Sequence, residues 1–318
     1  MDIRKIHHPY DKEEIIKEDI VLVLGFFDGV HRGHQAVINK GVQIAKERGL
    51  KCAVMTFKRH PAFVYRSFDP DKHSYLTPLD RKEYIIENLG VDILYEVDFT
   101  AKFGRLSPQE FVDQYIVEWH AKIVVAGFDY TYGKAAQANM DILHKYAKDR
   151  FDIVKVEKKM DEDDKISSTR IRRYISEGKI DQANKLLGYI YEISGFVVHG
   201  DARGRELGYP TANIYPHPYV MVPKRGVYAV KMWVNNEWLD GMASIGYNPT
   251  FGYRPSYSIE VHIFNFNEDI YGEDVKIKWV DYLRDEIKFN SVEELIEKLD
   301  QDELDAKESL SKVKINQI

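Results

Sequence analysis

The run Ile20-Val-Leu-Val-Leu-Gly-Phe-Phe-Asp-Gly-Val-His-Arg-Gly-His-Gln35 decides how this chain is read. Residues 20–27 are uncharged and short enough for a strand buried on both faces, as the centre of a parallel sheet requires. Residues 35–48 are amphipathic and stop at Gly49, so a strand hands over to a helix across a glycine-rich turn. Open α/β sheets bind their ligands at such turns. His31 and His34 fall at the helix N-terminus, where unpaired N–H groups and the positive dipole end attract phosphate. Gly25, Gly29 and Gly33 let the backbone approach closely. Two imidazoles there could donate hydrogen bonds to a triphosphate. Taken alone, Asp28-Gly29 is equally a plain turn followed by two solvent-facing histidines. A metal pair is the weakest option, because the i, i+3 spacing about a glycine differs from the i, i+4 spacing of zinc-binding helices.

Working outward, residues 52–57, 91–97, 121–126 and 151–156 read as further strands, with helices at 80–88 and after Ser107-Pro108-Gln-Glu110. This alternation is the βαβα pattern of a parallel sheet wrapped by helices. A helix opened by Ser168 and closed by Gly178, then a second over 180–187 closed by Gly188, would form the edge of that domain. The first domain is therefore expected to cover 1–187 and the second 188–318. In the second, alternating residues and turn signals such as Val234-Asn-Asn-Glu suggest an antiparallel sheet or small barrel. Ser291-Val-Glu-Glu reads as a capping box opening a C-terminal helix to about residue 310.

Composition agrees with two domains: the chain has 318 residues, against about 150 for a typical domain. Apolar residues make up 44%, too many for a disordered chain. With 45 basic and 51 acidic residues the net charge is −6, which argues against a general nucleic-acid or anionic-membrane binder. The longest apolar run, 20–27, falls far short of the roughly 20 residues of a membrane span. The first twenty residues are too acidic for a signal or transit peptide, and the single Cys52 cannot form an internal disulfide. These features lead us to expect a reducing, cytoplasmic setting.

Two more segments carry chemistry. In Ser167-Ser168-Thr169-Arg-Ile-Arg172-Arg173, hydroxyls cap a helix and three arginines add positive field, although a plain N-cap with a solvated basic face has the same pattern. In Gly200-Asp-Ala-Arg-Gly-Arg205-Glu-Leu-Gly208-Tyr-Pro-Thr211-Ala-Asn213, the glycines and arginines suit a loop folding over phosphates. On a strand, Thr211 and Asn213 point to one face and offer two neutral oxygens suited to Mg²⁺. Downstream, Glu260 and His262 share one strand face while Ile259, Val261 and Ile263 share the other. Glu260 is the candidate general base, its alternative being an ordinary solvent-facing strand glutamate.

Together, 25–35, Thr56-Phe57, His60-Pro61, Leu106-Ser-Pro-Gln-Glu-Phe, Gly127-Phe-Asp129-Tyr-Thr-Tyr-Gly, Ser167-Ser-Thr-Arg-Ile-Arg, 200–213 and Ile259-Glu-Val-His-Ile-Phe resemble the bacterial bifunctional riboflavin kinase/FMN adenylyltransferase (FAD synthetase) family. The resemblance covers nearly the whole chain. It implies a Rossmann-like α/β nucleotidyltransferase domain followed by a six-stranded antiparallel β-barrel kinase domain with a C-terminal helix. The kinase would move the γ-phosphate of ATP to the 5′-hydroxyl of riboflavin, and the other domain would join AMP to FMN, releasing pyrophosphate. It implies small-molecule substrates and products (ATP, riboflavin, FMN, FAD) and Mg²⁺. His31, His34 and Arg172 would serve adenylyl transfer, with nucleotide contacts from Gly25, Phe26, Asp28, Gly29, Asp129, Ser168 and Thr169. Glu260 would be the kinase base, Gly200, Arg205 and Gly208 its phosphate loop, and Thr211 and Asn213 its metal ligands. The chain departs from the family pattern at Lys58-Arg59 and Ala135-Ala-Gln-Ala-Asn139. Those departures leave room for a mainly kinase enzyme, and a flavin-binding regulator without turnover is the reading from outside enzymes.

Overall fold

The computed structural model describes residues 1–65, 74–162, 164–200, 207–248 and 256–313. By packing, the chain divides into two units, Met1–His73 with Pro78–Ser167 and Ser74–Thr77 with Ser168–Ile318.

The first unit contains β1 (Asp2–Ile6), β2 (Ile20–Leu24), α1 (Arg32–Arg48), β3 (Lys51–Phe57), α2 (Ala62–Tyr65), α3 (Leu79–Asn88), β4 (Ile93–Val97), α4 (Pro108–Val112), β5 (Ala121–Gly127), α5 (Leu143–Ala147) and β6 (Asp152–Val156). A small antiparallel pair, β7 (Met160–Asp161) and β8 (Asp164–Lys165), follows. β1 to β6 form a parallel sheet in the order β1-β4-β3-β2-β5-β6. All five residues of β2 are buried, which is why that stretch could contain no polar position. After β2 the chain builds outward through β3 and β4, then returns to add β5 on the other side of β2. The order therefore reverses between β2 and β5, whose carboxyl ends border the crevice where doubly wound sheets bind ligands.

α1 begins three residues earlier than the sequence suggests, at Arg32, because the His31 ring supplies the cap: its Nδ1 accepts from His34 N–H at 3.2 Å. The capping box at α4 forms with both reciprocal bonds between Ser107 and Glu110. β1 was invisible to the alternation argument, since Asp-Ile-Arg-Lys-Ile places charges on a strand at the sheet's edge.

The second unit contains α6 (Ser168–Glu177), α7 (Ile180–Leu187), β9 (Tyr191–Val198), β10 (Ala212–Pro216), β11 (Gly226–Val234), β12 (Glu237–Asn248), β13 (Ser256–Ile263), β14 (Asp274–Arg284) and α8 (Val292–Ser311). The strands close an antiparallel barrel in the order β10-β13-β12-β11-β14-β9. Asn235 and Asn236, both at positive φ, make the tight β11–β12 hairpin. α8 covers part of the barrel's outer surface, where Ala306 and Leu310 pack with Ala229, Met242 and Val280. Its cap forms through Ser291, but Glu294 reaches back to Asn290 N–H rather than to Ser291, so the box is not reciprocal.

The sequence reading assigns α6 and α7 to the first domain, whereas by packing they belong with the barrel. α7 lies against β9 and β14, and Asn184 ties the three together: its Nδ2 donates to Trp279 O at 2.9 Å and its Oδ1 accepts from Tyr191 N–H at 2.7 Å. Residues 74–77 join the same unit, with Tyr75 N–H donating to Tyr219 O at 2.6 Å.

Candidate functional site

Among the described residues, two places gather reactive side chains, one in each unit.

In the first unit, the turn after β2 runs through an unusual backbone: Phe27 (φ 54°), Gly29 (φ 84°) and Val30 (φ 28°) all have positive φ. Positive φ at Phe and at β-branched Val is costly and is retained where surrounding contacts fix it. Gly25 has to be glycine, since a Cβ there would lie 2.4 Å from the Phe27 ring. The turn delivers His31 and His34 to the start of α1, their rings stacked 3.6 Å apart and 17° from parallel. Burial pulls His31 down to about 4 and holds His34 well below the usual histidine range, with His31 adding to the effect on His34. Both are therefore neutral imidazoles at pH 7. Because His31 Nδ1 accepts the capping bond, its proton sits on Nε2. His34 Nδ1 is buried with no hydrogen-bond partner among the described residues.

Asp129 follows β5 on the other side of the switch point, and Lys165 Nζ donates to its Oδ2 at 2.5 Å. Lys165 also lies 4.7 Å from the Phe128 ring centroid, and both members of the pair act electrostatically on His31. Of the residues expected at this site, Gly25, Phe26, Asp28, Gly29, His31, His34 and Asp129 thus meet around the carboxyl ends of β2 and β5. Ser168, Thr169 and Arg172 lie on α6 in the other unit, where Arg172 Nη1 donates to Ser74 O at 2.7 Å. Lys165 and the buried Lys82 were missed, because a lysine in a charged stretch reads as a solvated one.

In the second unit, Asn213 stands directly opposite Glu260 in the β10–β13 ladder, and Ser244 opposite Glu260 in β12–β13. Opposed residues of antiparallel strands share a face, so these three form a row. Ile259, Val261 and Ile263 are buried on the opposite face, as their alternation suggests. Thr211 lies one residue before β10 rather than within it, and its Oγ1 donates to Glu260 Oε2 at 3.2 Å. Asn213 packs on Gly200 so closely that a Cβ at 200 would fall 2.1 Å from its Nδ2. Pro210 O accepts from His262 Nδ1 at 2.8 Å, which pins the start of this segment to β13. A cavity of about 290 Å³ opens beside the row, bordered by Thr211, Ser244, Glu260, His262, Arg284 and Leu299. Arg284 is held there by Asp302 of α8, which is 1% exposed and receives Nε at 2.9 and 3.0 Å and Nη2 at 2.5 Å. Gly208 is described with φ 83°, whereas Arg205 lies outside the described residues.

A sheet crevice suited to a polyphosphate and a carboxylate beside neutral oxygen donors are both equipment for moving phosphorus groups, which puts the chain among two-site transferases. The FAD synthetase family model matches residues 13–170, and the riboflavin kinase model matches 187–310. The chain belongs to the bifunctional riboflavin kinase/FMN adenylyltransferase family. It is 51% identical to the protein of that name from Listeria monocytogenes, over 97% of this chain and 98% of that one. The Bacillus subtilis protein of the same name is 46% identical, over 95% and 96%. A solved Streptococcus pneumoniae structure, described as a macrolide-efflux protein, has a TM-score of 0.89 at 39% identity, covering 96% of this chain and 99% of that one. Among the described residues here, no helix is long and apolar enough to cross a membrane.

Proposed function

We propose that the barrel unit phosphorylates riboflavin with ATP, and that the parallel-sheet unit adenylylates the resulting FMN to FAD with release of pyrophosphate. The functional division falls between residues 187 and 188, in keeping with a riboflavin kinase match that begins at 187.

The observation that carries the kinase assignment is the Thr211–Glu260 hydrogen bond beside Asn213. An alcohol is a poor nucleophile until a base takes its proton. Glu260 is the base: its carboxylate receives the 5′-hydroxyl proton of riboflavin as the oxygen bonds to the γ-phosphorus of ATP and the bond to ADP breaks. The isoalloxazine occupies the cavity between Glu260 and Arg284. Thr211 and Asn213 fit Mg²⁺ as neutral, hard oxygen donors. With the Thr211 proton directed at Glu260, the lone pairs of Oγ1 remain for a cation. Held by Thr211 and Asn213, Mg²⁺ would supply neutralisation of phosphate charge on ATP. Gly200, Arg205 and Gly208 carry the phosphate loop.

FMN already carries an ionised phosphate, so adenylyl transfer needs no base. Its oxygen attacks the α-phosphorus of ATP and pyrophosphate departs. The chain's task is positioning and stabilising the leaving charge. His31 Nε2–H donates to a phosphate oxygen as a neutral imidazole and the neutral His34 ring stacks on it, with Gly25, Phe26, Asp28, Gly29 and Asp129 shaping the nucleotide crevice. Ser168 and Thr169 offer hydroxyl donors and Arg172 a guanidinium, groups of the kind that contact phosphate.

ATP labelled at each phosphorus in turn tests the pair of reactions. Label at the γ-position should appear in FMN and persist in FAD, and label at the α-position should appear only in FAD. Label from the α-position in FMN, or none in FAD, overturns the assignment.

A further inference from the structure

Lys82 is a lysine of α3, 3% exposed, in the run Asp80-Arg-Lys-Glu83. Its ammonium has three N–H donors and meets three acceptors, Phe26 O, Thr56 Oγ1 and Phe57 O, each at 3.2 Å. Thr56, itself fully buried, donates to the same Phe26 O at 2.8 Å. Both lone pairs of that carbonyl are thereby engaged, immediately before the left-handed Phe27. The ammonium also lies 4.8 Å from the Phe26 ring centroid. Asp28 from the turn, Glu96 from β4 and Glu83 from its own helix face it with negative charge, and His34 of α1 feels its positive charge.

Such a group is expensive to bury and does no surface work. What it secures is the strained turn, whose geometry sets where α1 begins and hence where His31 and His34 stand. We propose that Lys82 is a positioning residue for adenylyl transfer: with Thr56 it clamps the carbonyl of Phe26 and fixes the 26–30 turn that presents His31 and His34. The inference rests on the adenylyl-transfer reading given above, but part of its test does not.

In the full-length protein, Lys82→Met keeps the side-chain volume and removes all three donors. It should lower kcat for FAD formation from supplied FMN by about 100-fold, the scale of a roughly 1 Å misplacement. KM for ATP and FMN should stay within about threefold, and riboflavin phosphorylation should be unchanged. Thr56→Val should lower the same kcat by about tenfold. The double variant should be no more than about threefold worse than Lys82→Met, because both residues act through one carbonyl. An unaltered kcat, a loss confined to KM, or multiplicative losses in the double variant overturns the proposal. Should Lys82→Met also lose kinase activity through misfolding, Thr56→Val decides by the same split. A histidine NMR titration gives a readout independent of turnover: in Lys82→Met, or in Thr56→Val if the former misfolds, the His31 resonance should titrate closer to 6.5 than in the parent protein. An unmoved His31 titration overturns the clamp even if the parent protein proves unable to make FAD.

Discussion

Thr211 Oγ1 donates to Glu260 Oε2 at 3.2 Å, reaching a carboxylate that stands opposite Asn213 in the barrel ladder. The bond places a base and two neutral oxygen donors within one side-chain length of each other. Glu260→Gln preserves shape and removes the proton acceptor. Riboflavin phosphorylation should fall by about 10²- to 10⁴-fold, while FAD formation from supplied FMN stays within about twofold. Steady-state assays of the two half-reactions check this, and equal losses in both would refute the division of labour.

Asn213 owes its position to the bare Cα of Gly200, since a methyl group there would lie 2.1 Å from Asn213 Nδ2. Gly200→Ala should push the amide off its place and raise the Mg²⁺ concentration for half-maximal kinase activity by about 10- to 100-fold, the scale for disturbing a ligand's support. Thr211→Ala should shift the same titration in the same direction. Unchanged Mg²⁺ titrations in both variants would contradict the metal assignment.

His31 couples folding to pH. Its folded value of about 4 lies below the unfolded value of about 6.5, so the unfolded chain binds more protons between those values. The contribution is complete above pH 6.5 and is lost as pH falls toward 4, amounting to about 3 kcal/mol. Protonation of Nδ1 also breaks the α1 cap. Glu96 works the other way, because burial and then Glu83 push it up to about 7, so its ionisation opposes folding above its unfolded value. His31→Asn keeps a capping oxygen and removes the titration. Subtracting its denaturant-derived stability curve from that of the parent protein cancels Glu96 and should leave a difference that declines from pH 6.5 to 4.5. Parallel curves would contradict the assignment.

The Arg284–Asp302 pair is almost fully enclosed, so removing one partner strands the other's charge. Asp302→Ala should destabilise the barrel unit by about 3–5 kcal/mol and raise KM for riboflavin, because Arg284 borders the cavity. Urea unfolding together with kinase KM measures both. A stability loss below about 1 kcal/mol would contradict this, since Arg284 and Lys298, 3.2 Å from Asp302, are both left without that carboxylate.

Much of this architecture was legible because it is written in local patterns. The uncharged β2, the Ser107–Glu110 box and the Asn235-Asn236 turn each have one comfortable conformation, and the alternation around Glu260 survives in β13. β1 was hidden because an edge strand tolerates charge, and α6–α7 show a helical period that does not say which sheet they cover. At the sites, residues in glycine-rich or alternating contexts stood out. Lys82, Lys165, Arg284 and Asp302 did not, since a buried ion and a surface ion look alike until the partner supplied by a distant segment is known.

Product analysis of the purified protein incubated with riboflavin, ATP and Mg²⁺ tests the central claim most directly. FMN should rise first, then give way to FAD with one pyrophosphate released for each FAD formed. FMN that accumulates without any FAD, or flavin bound with no ATP consumed, would contradict the account.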